Sequence, residues 1–325
     1  MTKPRVLCFG EVLYDYLADQ PGRPYEQVVS WTAYPGGAPA NVACALTKLG
    51  TPAGFVGCVG QDEPGNDLVQ LLQDTGVDVS GVQRHATAPT RAIYVVRAED
   101  GDRQFAGFGD RTSDEFADTR LQAAHIPAEL FVQADYLVLG TLEMPYPETN
   151  AAIQRALELA EMHYVKLVLD VNWRPMFWPD EQAAWQQIHS LIKRVDFLKL
   201  SAEEADWLFE TRDPGVIAHR LESIEGVLVT DGDKGCAYAF SGYEGKAAAF
   251  PVDVEDTTGA GDAFVAGFLH QLCQLGIPAL QDPETVRSVM SYANAVGALT
   301  TIRAGAIAAQ PSPAEVDAFL YINQR

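Results

Sequence analysis

The sequence predicts an α/β fold: a central, mostly parallel β-sheet flanked by helices, with a small β-sheet lid projecting from it. Three observations carry this expectation. Strand-like and helix-like segments alternate through most of the 325 residues, the order that builds parallel sheets covered by helices. The strand candidates are short, uninterrupted runs of Val, Leu and Phe, as expected where both faces are buried. Two stretches, 12–35 and 89–110, break the alternation.

The predicted strands of the main sheet are 5–9, 54–59, 136–140, 166–170, 196–200 and 226–230. The predicted helices are 40–49, 64–74, 148–162, 181–193, 202–210, 216–222, 261–274, 283–300 and 313–323. The two irregular stretches read as half-exposed strands, at 28–34, 91–97 and 103–108, with a turn at 99–102. They are expected to form a flap that covers a ligand, or else a plain surface meander or a dimer contact. No repeat or low-complexity linker divides the chain, so residues 1–325 are read as one domain with the lid strands inserted in it.

Composition narrows the function. A hydrophobic fraction of 47% supports a large core, and net charge is −21, from 44 acidic against 23 basic residues. Such a surface repels nucleic acid and anionic membrane, so neither is expected as a partner. No apolar run reaches the ~18 residues of a membrane span, and the N-terminus has no secretory-signal pattern; the expected location is the cytoplasm. Cys8, Cys44, Cys58, Cys236 and Cys273 show no CxxC spacing and read as small buried hydrophobes. The six histidines are scattered without ligand spacing, so zinc is not expected.

The sharpest local signal is Asp256-Thr257-Thr258-Gly259-Ala260-Gly261-Asp262. Small residues let backbone N–H groups approach an anion, and they open a predicted helix whose N-terminus carries partial positive charge. That combination suits the charge on a phosphoryl group in flight. Asp262, in the first helical turn, can accept a proton late in such a transfer. The helix dipole is expected to keep its carboxyl ionised rather than raise its pKa. The alternative is an acid favoured in a first turn, after glycines that merely make the turn. The P-loop pattern GxxxxGK[ST] and the protein-kinase signatures are absent.

A second glycine element occurs at Gly36-Gly37-Ala38-Pro39-Ala40-Asn41, followed by Leu49-Gly50 and Gly57-Cys58-Val59-Gly60. With the first, and in this order, it resembles the two signatures of the ribokinase-like (PfkB) family of carbohydrate kinases. The resemblance extends from Val6 to about Ser312. It implies a ribokinase-like fold, ATP as phosphoryl donor, Mg²⁺, and a small sugar as acceptor. It further implies Asp262 as catalytic base and Gly259, Ala260 and Gly261 as an anion hole. Asp15, Gly36, Gly37 and Asn41 would contact the sugar; a carboxylate and an amide supply what paired hydroxyls need. Glu143 is either a further sugar contact or a loop acid.

In Asp170-Val171-Asn172-Trp173-Arg174, Arg174 would face the phosphates, Asn172 the nucleotide, and Asp170 would orient Arg174 or a metal-bound water; a structural Asp–Arg pair is the alternative. Ser201 and Glu204 occupy the place of the family's Asn-x-x-Glu element, with Ser replacing Asn. Glu204 would reach Mg²⁺ through water, but the same spacing makes a helix capping box. Thr230, Gly232 and Gly235 would line the nucleotide, as would Asn294 near the base, although a plain hairpin looks the same. Asp256, Thr258, Arg303 and Gly305 resemble the family's monovalent-cation loops, which would hold K⁺.

Among family members the chain is most similar to fructokinases, in its Asp170–Arg174 run, the Phe177-Trp178 pair, residues 199–204 and Leu299-Thr300-Thr301. The expected reaction is phosphorylation of the 6-hydroxyl of D-fructose. The alternatives are a kinase for 2-keto-3-deoxygluconate or another sugar or nucleoside, since one scaffold serves many hydroxyl donors, and a kinase-like regulatory protein without catalysis. Exposed lid strands can pair across a two-fold axis into a homodimer.

Overall fold

The computed structural model describes residues 3–98, 103–240 and 243–323; the turn expected at 99–102 lies outside them. The main sheet contains β1 (Val6–Phe9), β4 (Ala53–Gly60), β5 (Asp78–His85), β8 (Tyr136–Leu139), β9 (Lys166–Asp170), β10 (Phe197–Ser201), β11 (Gly226–Thr230), β12 (Cys236–Phe240) and β13 (Tyr243–Ala247). Their spatial order is β13-β12-β11-β10-β9-β8-β1-β4-β5. All neighbours are parallel except β11–β12 and β12–β13, an antiparallel extension at one edge. The helices are α1 (Ala38–Lys48), α2 (Glu63–Thr75), α3 (Pro147–His163), α4 (Glu181–Ile192), α5 (Ala202–Phe209), α6 (Pro214–Leu221), α7 (Ala260–Leu275), α8 (Pro283–Thr301) and α9 (Pro313–Asn323).

The uninterrupted apolar strands bury both faces because alternate side chains serve different helical layers. Leu7 and Phe9 of β1 pack with α3, α4, α5 and α6. Val6 and Cys8 pack with α1, α2, α7 and α8 on the other face. The expected strands and helices of this sheet are present, with ends shifted by a few residues. Strands β5, β12 and β13 were not individually expected. β5 is polar and only half-buried at the sheet edge, so its sequence lacks the apolar run of a central strand.

The lid comprises β2 (Leu13–Ala18), β3 (Trp31–Gly36), β6 (Ala92–Arg97) and β7 (Arg103–Gly107), in the order β3-β2-β6-β7. Two antiparallel pairs are joined by a parallel one, β2 with β6. Alternation gives it two different faces: Leu13, Asp15 and Leu17 of β2, with Ile93 and Val95 of β6, face the cleft described below. Tyr16 and Tyr94, in register on the opposite face, stack with ring centroids 5.2 Å apart.

At the root of the lid, Arg91 precedes β6 and is fully buried. Its guanidinium pairs with Asp118, donates to the Ser113 carbonyl at 3.0 Å and lies over the Phe116 and Phe177 rings. Two buried charges are tolerated only as a pair. Asp118→Asn leaves the guanidinium uncompensated, and the expected loss in urea unfolding is about 3–5 kcal/mol. A loss below about 1 kcal/mol would mean that water reaches the pair.

Candidate active site

A cleft of about 620 Å³ opens between the lid and the carboxyl ends of the central strands, where ligands bind in parallel α/β sheets. Glu11 enters it after β1, Asn172 and Arg174 after β9, and Ser201 at the end of β10. The two glycine elements enter as helix N-termini, α1 from Gly37 and α7 from Gly259.

Local geometry explains both glycines. Gly37 has φ of 104°, and a Cβ there would lie 2.5 Å from the Glu11 carbonyl oxygen. Gly259 caps α7 with φ of 79°. Other residue types are strained in both conformations. Across the cleft floor, Asn41 Nδ2 of α1 donates to Asp262 Oδ2 of α7 at 2.8 Å. Asn41 Oδ1 is buried and has no partner among the described residues, and an orphaned acceptor in a cleft is an open place for a donor.

The Asp262 carboxyl departs from expectation. Burial pushes it up to about 6, and the Asp170 charge adds to the rise. The Asn41 amide, Lys199 and Arg174 pull it down without cancelling that rise. The helix dipole was expected to dominate, but removal from water costs a carboxylate more than a helix N-terminus returns.

Several expected site residues meet here: Asp15, Gly37, Asn41, Asn172, Arg174, Ser201, Glu204, Asp256, Thr258, Gly259, Gly261 and Asp262, with Gly305, all line the cleft. Gly36 stands just behind, against the Asp15 carboxylate. Ala260 occupies the first position of α7. Arg174 is exposed, donates to the Trp173 carbonyl at 3.0 Å and forms no ion pair with an acid among the described residues. Asp170 therefore does not pair with Arg174: it accepts from Lys199 instead, at 2.9 and 3.1 Å.

Ser201 and Glu204 do form the capping box. Ser201 Oγ accepts from the Glu204 amide and Glu204 Oε2 from the Ser201 amide, while Glu204 Oε1 accepts from the Trp173 amide at 2.6 Å. Asp256 ties the loop before α7 to the loop after α8, accepting from the Thr258 amide and hydroxyl and from the Gly305 amide at 3.0 Å.

Other expected residues lie outside the cleft. Glu143 is buried, with both carboxylate oxygens unpartnered among the described residues; burial first, then Asp118 and Glu11, hold it well above the usual carboxylate range. Arg303 turns outward to pair with Glu315. Thr230 donates to the Leu200 carbonyl, and Asn294 Nδ2 donates to the carbonyls of Ala247 and Ala248 at 3.2 and 3.1 Å. Gly232 and Gly235 form the turn between β11 and β12, both with positive φ.

Two charged cleft residues were not singled out from sequence. Glu11 is buried and accepts from the Ala38 amide at 2.8 Å; burial drives it up to about 7. Lys199 is a lone charge in the apolar strand FLKLS, a signal that a buried partner must exist.

Amides opening a helix, an enclosed acceptor carboxylate and an uncompensated guanidinium in one cleft suit phosphoryl transfer to a small alcohol. Comparison with known proteins gives the particular family. Residues 3–313 match the pfkB family carbohydrate kinase, and the chain belongs to that family. It is 34% identical over 315 residues to "Probable fructokinase-5" of Arabidopsis thaliana, covering 96% of each chain. Among solved structures, a fructokinase from Xylella fastidiosa with bound ATP superposes with a TM-score of 0.88 at 31% identity, covering 98% of this chain and 99% of that one. A fructokinase from Vibrio cholerae in a fructose, ADP and calcium ion bound form gives 0.84 at 28% identity, covering 98% and 100%. The fold expected from the sequence, a ribokinase-like sheet with a lid, is thus the fold observed.

The raised carboxyl of Asp262 has a stability consequence. Its folded value of about 6 lies above the ordinary 3.8, so the native state binds more protons between those values. Stability falls as pH rises through that window. Asp262→Asn removes this cost: the variant should melt above wild type at pH 8, and the gap should close near pH 4. Equal melting temperatures at pH 8 would show a solvated carboxylate.

Proposed function

We propose that this carbohydrate kinase is an ATP-dependent fructokinase that phosphorylates the 6-hydroxyl of D-fructose. The observation that carries the reading is the pairing of Asp262 with Asn41 across the cleft floor, at 2.8 Å, beneath the amides that open α7. The 6-hydroxyl oxygen forms a bond to the γ-phosphorus of ATP while the bond from that phosphorus to the β–γ bridging oxygen breaks. The bridging oxygen leaves with the electron pair as ADP, and the hydroxyl proton passes to Asp262. The amides of Gly259, Ala260 and Gly261 receive the charge of the moving group, and Arg174 faces the phosphates.

On the sugar side, Asp15 reaches down from the lid, Gly36 and Gly37 allow close approach, and the orphaned Asn41 Oδ1 accepts a sugar hydroxyl. The full-length similarity to fructokinases supports fructose over other acceptors.

Mg²⁺ fits the acids present. Among the described residues no group of three His, Cys, Asp or Glu could form a protein cage, and Mg²⁺ characteristically keeps its waters and binds through substrate phosphates. Glu204 would meet it through water, using the second lone pair of each oxygen, and the ion would supply charge neutralisation on the phosphates. K⁺ would sit at the loops joined by Asp256, with Thr258, Gly305 and the Arg303 backbone nearby. Asn172 and Ser201 in the cleft, with Thr230, Gly232, Gly235 and Asn294 outside it, would flank the nucleotide.

The five cysteines are free and buried, which suits a reducing cytoplasm. No helix among the described residues is long and apolar enough to cross a membrane.

ADP release with MgATP should be measured on fructose, ribose, 2-keto-3-deoxygluconate, glucose, mannose and adenosine. Fructose-selective turnover is expected, with a loss of about 10²–10⁴-fold in Asp262→Asn. Preference for another sugar would discard fructose, and undiminished turnover in the variant would discard the base.

The aromatic outer face of the lid supports a homodimer. Trp31 and Tyr25 pack edge-on against Tyr94, with centroids 5.1 and 5.4 Å away, and aromatic anchors concentrate at interfaces. Sedimentation should give a dimer for wild type and a monomer for Trp31→Glu; a monomeric wild type would refute the pairing.

A further inference from the structure

Strand β10 carries one charge inside the sheet. Lys199 is 7% exposed, and its strand is hydrogen-bonded to β9 on one side and β11 on the other. An ammonium there persists only if paired. Its Nζ donates to both oxygens of Asp170, and to no other acceptor among the described residues.

A purely structural ion pair has no need to face a cleft, yet Lys199 lines this one. A Cβ built on Gly261 would stand 3.2 Å from Nζ. The ammonium therefore lies against the opening turn of α7, beside the residue that precedes Asp262. A cation at a helix N-terminus opposes the helix dipole, so packing of α7 does not account for it. The acids gathered around that turn do.

We propose that Lys199, held on Asp170, is a positioning residue for Asp262: its ammonium offsets the carboxylates crowding the base and so keeps the base anionic for proton transfer. The proposal rests on the reading of Asp262 as the base.

The groups facing Asp262 come from every side of the cleft floor. Asn41 approaches from α1, Glu11 from the segment after β1, Asp170 from the end of β9, Arg174 from the loop after β9 and Lys199 from β10. Burial and then Asp170 push the Asp262 carboxyl up, while Asn41, Lys199 and Arg174 oppose them. Of the two cations Arg174 is exposed and screened by solvent, whereas Lys199 is enclosed. Burial works against the Lys199 charge, but Asp170, Glu204 and Asp262 outweigh it and hold the ammonium above its ordinary value. It is thus a fixed charge at working pH. Deleting it leaves Asp170 uncompensated beside the base; neutralising Asp170 leaves Lys199 in excess. The two changes must move the base in opposite directions.

The test is the carboxyl titration of Asp262 by ¹³C NMR of aspartate-labelled protein, the signal being identified by its loss in Asp262→Asn. Lys199→Met should move the midpoint up by about one pH unit, and Asp170→Asn should move it down by a similar amount. Lys199→Arg, which keeps the charge, should stay near wild type. On whichever sugar is turned over, the acid limb of kcat/KM should follow the same shifts. In Lys199→Met, kcat should fall about twofold at pH 7 and about 10-fold at pH 5, below both midpoints, while sugar KM changes less than about threefold.

An unmoved midpoint in Lys199→Met, or shifts of the same sign in both variants, overturns the proposal. Lower melting temperatures with an unmoved midpoint would mark a structural pair only, and also overturn it. Should Lys199→Met not fold, the Asp170→Asn midpoint decides alone: downward supports, unmoved or upward refutes. Because the titration needs no sugar, the two failures separate: opposed shifts without turnover on any sugar would sink the reading of Asp262 as base and this proposal with it, whereas turnover with an unmoved midpoint would sink this proposal alone.

Discussion

The contact on which the site depends joins Asn41 to Asp262, residues 221 positions apart in the chain. It requires the N-termini of α1 and α7 to face each other at one end of the sheet. Packing achieves this: both helices lie on the same sheet face, in one apolar layer with α8. Gln310 closes the arrangement from a third direction, donating to the Asn41 carbonyl at 2.8 Å. Two glycine turns, each only a local feature, become one cleft floor because a common core holds the helices behind them.

The electrostatics follow from placing that floor in an acidic protein. A chain of net charge −21 offers an anionic co-substrate no long-range attraction. In the proposed reading, affinity for phosphate comes from short-range donors, the amides at a helix end and one exposed guanidinium. The same enclosure raises carboxyls that in water would be ionised, Asp262 to about 6 and Glu11 to about 7. The charge state of the cleft is therefore a balance between desolvation and a few fixed cations. The lid, rooted on the buried Arg91–Asp118 pair, turns the apolar side chains of Leu17, Ile93 and Val95 to the same cleft.

The main sheet was legible because two-sided burial demands continuous apolar strands, and such runs stand out between amphipathic helices. Edge strand β5 was missed because an edge needs no such run. The two glycine signatures were legible because close backbone approach admits few residue types. Asp15 could be assigned a role by resemblance, but its position on a lid strand above the cleft came only from the pairing of β2 with β3 and β6. Lys199 was overlooked as part of a strand, and Glu143 was weighed as a sugar contact because it follows a strand end. In the fold the two exchange significance: Lys199 lines the cleft and Glu143 is buried behind it.

From sequence alone come the α/β architecture, the lid segments and the two helix-opening glycine turns, set by local periodicity and backbone sterics, and the kinase family, through the resemblance of its two glycine signatures. Tertiary structure alone decides which acid meets which base. Asp170 pairs with Lys199 rather than Arg174, Glu204 caps its own helix, and Asp262 is raised instead of lowered. The physical reason is that ion pairing and desolvation depend on distances between segments far apart in the chain, which no local pattern encodes.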